Sequence, residues 1–285
     1  MRLCRFKAHD EEIKPGLLTA DSFVLDLSAA GISSCGQLLE LPAPAEAVGH
    51  LSLQNLPRLP LAQISLCPPV EEQEVWAAGV TYQRSKVARM EESNFSATAY
   101  DRVYAAERPE LFFKSMPGKV VAPGEPVGIR RDARWSVPEP ELALVLNSHG
   151  TLVGFTIGND MSSRDIEGEN LLYLPQAKVY KQSCALGPWI TLGGTEEEVR
   201  KWIIRIAIKR DGAAVFTGET SINQIKRSFT DLVNYLFRSQ EFPHGAVLLT
   251  GTGVVPDDSF TLRANDITEI EISGIGTLKN TVAVV

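Results

Sequence analysis

The segment 137–146, VPEPELALVL, sets two glutamates, Glu139 and Glu141, at the head of an otherwise apolar run. Successive side chains of a strand point to opposite faces. Glu139 and Glu141 therefore share one face, and Pro138 and Pro140 take the other. The prolines lack ladder N–H donors, which places this stretch at a sheet edge or where a strand begins. The next apolar run, LVGFTIGND, closes on Asp160, and a Ser-His-Gly turn joins the two runs. A hairpin returns antiparallel and brings Asp160 beside Glu139 and Glu141. Three carboxylates at one point repel unless a cation joins them, and hard divalent ions prefer oxygen ligands. Such an ion keeps coordination positions for water and substrate and can act as a Lewis acid. The spacing is equally compatible with three acids exposed at strand ends.

Other chemistry is sparse. The chain holds four histidines, His9, His50, His149 and His244, and none is spaced with another as a metal-ligand pair. His244, in FPHGAV, reads as a turn residue. The four cysteines, Cys4, Cys35, Cys67 and Cys184, are scattered without a CxxC, so they read as reduced thiols of a cytoplasmic protein. Arg164 and Asp165 read as a structural ion pair fixing the turn after Asp160. The formal net charge of -7 and the lack of any Lys/Arg run argue against a nucleic-acid or anionic-membrane surface. No apolar stretch approaches the ~20 residues of a bilayer span, and the N-terminus has no apolar signal region.

The elements that must position these acids are mixed. With 285 residues, 44% of them hydrophobic, the chain can bury a large core. Residues 1–70 read as a small N-terminal α+β domain, with SFVLDLS a strand and SCGQLLELPAP a short helix ended by prolines. The Pro-rich segment 56–72 reads as the connection into a main domain, 71–285. There, WIIRIAIKRDGAAVFTGET is a hairpin about Asp211-Gly212, and AVLLTGTG and ITEIEISGIGTLKNTVAVV supply later strands. Helices are expected in YQRSKVARMEES and ATAYDRVYAAERPE. In INQIKRSFTDLVNYLFRSQ, Ile225, Phe229, Leu232, Val233 and Leu236 form one helical apolar face. The pattern lacks regular βαβα alternation, a GxGxxG after a strand and a P-loop, which disfavours TIM-barrel and Rossmann folds.

The segment VPEPELALVLNSHGTLVGFTIGNDMSSRDIEGENLLYLPQAKVYKQSCALGPWI resembles the fumarylacetoacetate hydrolase superfamily. The likeness lies in the E-x-E before an apolar strand, the GFTIxNDxSxRD turn, a lysine before an aromatic, and ALGPWI. It continues in FTDLVNYLFRSQEFPHGAVLLTGTG and ISGIGTLKN, and spans residues from about 75 to the end. The resemblance implies an α+β fold with a mixed β-roll core of that type. It implies a divalent metal, Mg²⁺ or Mn²⁺ with Ca²⁺ a further candidate, held by Glu139, Glu141 and Asp160. The family's lysine maps onto Lys178. A homodimer or homotetramer is expected from the same resemblance.

Within the superfamily, GVTYQRSKVAR, YDRVYAAERPELFFK and DIEGENLLYLPQAKVY are most similar to 2-keto-3-deoxy-D-arabinonate dehydratases and their relatives. The hydrolases carry a histidine a few residues after the segment that is here Gly79-Val80-Thr81-Tyr82, where this chain has Ser85 or a neighbour. Missing that base, it is expected to dehydrate a 2-keto-3-deoxy sugar acid, giving 2,5-dioxopentanoate through a metal-bound enolate. Hydrolysis of acylpyruvates or 2,4-diketo acids is the alternative. One departure from the dehydratase-like pattern is the Leu171-Leu172 pair, where a proline is expected first. For dehydration, Lys178 is the expected base or enolate stabiliser, and Glu110, in ERPELFFK, its acid/base partner. Lys114, four residues on and on the same strand face, is expected to hold Glu110 or substrate. Arg84, Ser85 and Thr252 are expected at substrate oxygens. Taken without the resemblance, Lys178 reads as a solvated surface lysine and Glu110 as a strand-end acid.

Overall fold

In the computed structural model the described residues are 1–8, 11–82 and 102–285. Their strands run in chain order β1 (Arg2–Lys7), β2 (Ile13–Leu18), β3 (Phe23–Asp26), β4 (Arg58–Pro60), β5 (Ser65–Cys67) and β6 (Glu74–Gly79). Then come β7 (Glu110–Ser115), β8 (Val127–Ile129), β9 (Ser136–Val137), β10 (Pro140–Leu146), β11 (Leu152–Asp160) and β12 (Ser162–Ser163). Last are β13 (Cys184–Leu192), β14 (Ile203–Arg210), β15 (Ala213–Ser221), β16 (Ala246–Leu249), β17 (Ile267–Ile272) and β18 (Gly276–Val284). Of the expected helix in YQRSKVARMEES, all but Tyr82 lies outside the described residues; of the second, 102–105 are helical.

Among the described residues, a large mixed sheet has the order β4-β3-β2-β1-β13-β11-β10-β16-β6-β7, with β5 also paired to β1. A second sheet has the order β15-β14-β17-β18-β8. The α+β class follows, with the parallel β16–β6 and β18–β8 pairs making both sheets mixed. β10 is buried on both faces, which its unbroken apolar run anticipates. Its even residues, Leu142, Leu144 and Leu146, join Phe155 and Ile157 of β11 against Ile204, Ile206, Ile208, Ile270 and Ile272 of the second sheet. The odd residues Ala143 and Val145 join Leu186, Ile190, Val247 and Leu249 in a second core, closed by Leu38, Leu39 and Val48 of the helices Cys35–Leu39 and Pro44–Leu51.

Both hairpins turn where the sequence places them. Asn147 Oδ1 accepts from the His149 and Thr151 N–H groups, and Gly150 takes a positive φ. Asp211 and Gly212 have φ of 52° and 82°, the left-handed pair that suits a two-residue hairpin. Two expectations are corrected. The segment 56–72 is more than a connection: it contributes β4 and β5, and Pro60 is tolerated because β4 is the outermost strand. The helical face does not reach Ile225. The helix is Phe229–Phe237, because Ser228 caps it by accepting from Asp231 N, and buries Phe229, Leu232, Val233 and Leu236. Ile225 instead forms an antiparallel bridge with Tyr82. Among the described residues no helix is long and apolar enough to cross a membrane.

Candidate active site

The β10–β11 register sets Pro140 opposite Asn159 and Glu141 opposite Gly158. Asp160 N donates to Glu139 O at 3.0 Å, so the hairpin continues past the ladder and pairs Glu139 with Asp160. Carboxylate oxygens of Glu139, Glu141 and Asp160 all lie within 4.8 Å of one another. All three residues are at most 2% exposed. Solvent therefore does not screen the cluster, and the reading of three exposed strand-end acids fails.

Buried carboxylates need compensating charge. Lys178, at the end of the helix Leu174–Lys178, bridges two of them, with Nζ 2.8 Å from Glu139 Oε2 and 3.2 Å from Asp160 Oδ2. It is 1% exposed, so it is no surface lysine. Lys114 Nζ lies 2.5 Å from Asp160 Oδ1, donates to Met161 O at 3.0 Å and donates also to Lys178 O. Those three acceptors match the three protons of an ammonium. Lys114 thus supports Asp160 and the backbone beneath Lys178, where the sequence reading assigned it to Glu110 or substrate. Arg164 Nη2 sits 3.0 Å from Glu139 Oε1. Its expected pairing with Asp165 is corrected: adjacent helical residues do not face each other, and Asp165 Oδ2 accepts from Arg134 N at 2.7 Å instead.

Glu141 differs from the other two acids. Among the described residues no cation forms an ion pair with it; it accepts from Gly251 N at 2.6 Å. Burial, then Asp160 and Glu139, push its carboxyl well above the ordinary glutamate range, with Lys178 and the Gly251 N–H opposing. A hard divalent cation among the three carboxylates would give Glu141 the positive partner it lacks among the described residues, and the all-oxygen donor set fits Mg²⁺.

Gly251 was not anticipated. It has φ 86°, and a Cβ there would sit 2.2 Å from Thr81 Oγ1. Only glycine lets the backbone N–H reach Glu141 at this point. The TGTG string at the end of β16 is the signal that could have found it. Thr252, the residue chosen from that string, donates from Oγ1 to Val254 O at 3.1 Å and is 5% exposed. Glu110 opens β7 opposite Gly79 of β6. Its carboxylate lies over the glycine, where a Cβ would come within 2.0 Å of Oε2. Val80 follows with φ 53°, an unusual conformation for a β-branched residue, where β6 ends beside the site. Arg84 and Ser85 lie outside the described residues. Among the described histidines, His50 is exposed, His149 sits in the β10–β11 turn, and exposed His244 pairs with Glu72 at 2.7 Å. All four cysteines are free and buried, and burial pushes the Cys4 and Cys184 thiols up to about 12.

The chain is 48% identical over 217 residues to a probable 2-keto-3-deoxyxylonate dehydratase of Haloferax volcanii, covering 76% of this chain and 74% of that protein. It is 41% identical over 218 residues to the 2-dehydro-3-deoxy-D-arabinonate dehydratase of Saccharolobus solfataricus, covering 75% and 73%. A solved 2-keto-3-deoxy-D-arabinonate dehydratase, complexed with magnesium and 2,5-dioxopentanoate, superposes with a TM-score of 0.85 at 32% identity, covering 100% of this chain and 99% of that one. The family model for the C-terminal unit of fumarylacetoacetate hydrolase matches residues 74–283, from the start of β6 almost to the end of β18, and the chain belongs to that family.

Proposed function

We infer that the protein is a divalent-metal-dependent dehydratase, a hydro-lyase acting on a 2-keto-3-deoxy sugar acid such as 2-keto-3-deoxy-D-arabinonate, with Mg²⁺ as cofactor. The observation that carries this is the buried three-carboxylate cluster joined to Lys178, in a chain whose relatives are named as such dehydratases. When bound, the cation polarises the substrate's keto and carboxylate oxygens and acidifies its C3 protons. Glu139, Glu141 and Asp160 would hold it.

The remaining steps belong to side chains. Lys178, which bridges Glu139 and Asp160, is the group we assign to taking the C3 proton. Glu110 is the group we assign to protonating the C4 hydroxyl as it departs. The C3 proton and the C4 hydroxyl leave as one water. The C5 carbonyl of 2,5-dioxopentanoate then arises by tautomerisation of the unsaturated alcohol, with no second loss of water. Thr252, Arg84 and Ser85 remain our assignments for substrate oxygens. The hydrolase alternative finds less support, since none of the described histidines adjoins the carboxylates. The free cysteines support a reducing, cytoplasmic setting, and the family resemblance supports a homodimer or homotetramer.

A coupled assay tests the reading. With Mg²⁺ and 2-keto-3-deoxy-D-arabinonate, a semialdehyde dehydrogenase should reduce NADP⁺, and EDTA should abolish the signal until Mg²⁺ is restored. Pyruvate released rapidly from an acylpyruvate, with no product from the sugar acid, would reverse the assignment. Gly79→Ala tests Glu110 from the opposite strand. The added methyl meets the far end of a flexible side chain, so the strand tolerates it and the carboxylate moves. A misplacement near 1 Å lowers kcat by about 10- to 100-fold. Unchanged kcat in Gly79→Ala would count against Glu110 as proton donor.

A further inference from the structure

The chain leaves β6 through Thr81 and Tyr82 and approaches β7 through Tyr104–Glu107, and one tripeptide, Ile225-Lys226-Arg227, holds both stretches. On the first side, Tyr82 bridges to Ile225, and Lys226 N donates to Thr81 O at 3.1 Å. On the second, Arg227 donates from Nη1 to Glu107 O and from Nη2 to Ala106 O, each at 2.7 Å. Lys226 Nζ donates to Tyr104 O at 2.5 Å and lies 4.4 Å from the Tyr104 ring centroid. The tripeptide is itself fixed. Arg200 donates to Ile225 O at 2.8 Å and to Arg227 O at 2.7 Å, while Glu196 orients Arg200.

Each side leads to the site. Thr81 Oγ1 donates to Thr250 O at 2.6 Å, and the next residue, Gly251, donates to Glu141. The carbonyls gripped by Arg227 lie three and four residues ahead of Glu110, whose carboxylate lies over Gly79. The Arg227 side chain is 10% exposed, a nearly buried cation that directs donors at main-chain carbonyls as well as at Asp231. Its fork spans two adjacent carbonyls, with one nitrogen on each.

We propose that Arg227, with Lys226, is a positioning residue for the dehydration: it fixes the chain entering β7 so that the Glu110 carboxylate is held in register with the Glu139–Glu141–Asp160 cluster. This rests on the reading of Glu110 as a participant. Proton transfer tolerates little misplacement, so loosening the grip should act on kcat, through Glu110 alone.

The test is a double-mutant cycle on the Mg²⁺-loaded enzyme, with Arg227→Ala, Glu110→Gln and the pair. Arg227→Ala should lower kcat by about 10- to 100-fold. KM and the calorimetric Kd for Mg²⁺ should stay within about threefold, as for a loss confined to the transition state. In the Glu110→Gln background the same substitution should cost less than about twofold, because the group it positions is gone. Arg227→Lys should recover part of the loss, and if Arg227→Ala does not fold, Arg227→Lys runs through the same cycle. A loss of kcat by the same factor in both backgrounds would mean a general structural role and overturn the proposal. So would a weakened Mg²⁺ affinity with full kcat at saturating metal. Full activity in Glu110→Gln alone would remove the reading of Glu110, and the proposal with it.

Discussion

Glu141→Gln should sharply weaken Mg²⁺ binding and turnover, yet the metal-free variant should unfold at a higher temperature than the metal-free parent. The amide keeps the shape of Glu141 and can still accept from Gly251 N. It cannot ionise, so folding no longer requires a proton to be taken up by a carboxyl buried against Asp160 and Glu139. The gain should be on the order of 2–4 °C per kcal/mol relieved. Mg²⁺ affinity should fall by at least about 100-fold, since a direct ligand matters no less than its supporting groups. A pH signature accompanies this. The folded, metal-free chain holds the Glu141 proton above the ordinary value of 4.5, where the unfolded chain has released it. The folded state then binds more protons, and metal-free stability falls as pH rises through that window. The Gln variant should lack this slope, and saturating Mg²⁺ should flatten it in the parent. Calorimetric titration and thermal melts across pH read every part. Mg²⁺ bound by Glu141→Gln with parental affinity would refute the assignment of Glu141 as a ligand.

Lys178→Met should lower kcat by about 10³-fold, within the range for a lost acid–base group, while Mg²⁺ binds at least as tightly as in the parent. Methionine fills the buried channel left by the lysine stem and takes away only the ammonium. That ammonium now competes with the metal for Glu139 and Asp160, at 2.8 and 3.2 Å. Opposite movements of kcat and metal affinity separate a catalytic role from one in assembling the site. A kcat within about tenfold of the parent would exclude Lys178 as the base. Equal losses of kcat and affinity would make it a structural counter-ion.

Alternation carried much of the site into view before the fold was known. Period two puts Glu139 and Glu141 on one face, and a turn at Asn147–Gly150 folds Asp160 back on them; both inferences need only local geometry. The Asp211-Gly212 hairpin is legible for the same reason. What was not legible depends on contacts between distant segments. Nothing local says that Lys114 reaches Asp160, that Arg164 turns to Glu139, or that Gly251 offers its N–H to Glu141. Gly79 carries no side chain to attract notice, and its value appears only once β7 lies beside β6. The start of the helix at Phe229 rests on the Ser228 cap, which the apolar spacing alone extends past.

The pairing of β1 with β13 joins the first strands of the chain to the strand that flanks Asp160. Arg2 and Leu3 register with Thr191 and Ile190, and β1 carries β2 and β5 with it. A chain cut back to the family-matched portion would strip this cover from the outer rim of β13. That rim would then present unpaired N–H and C=O groups beside buried side chains such as Ile190 and Leu192. Loss of the opening residues would therefore uncover a template on which a second, incompletely folded copy could add its own strand.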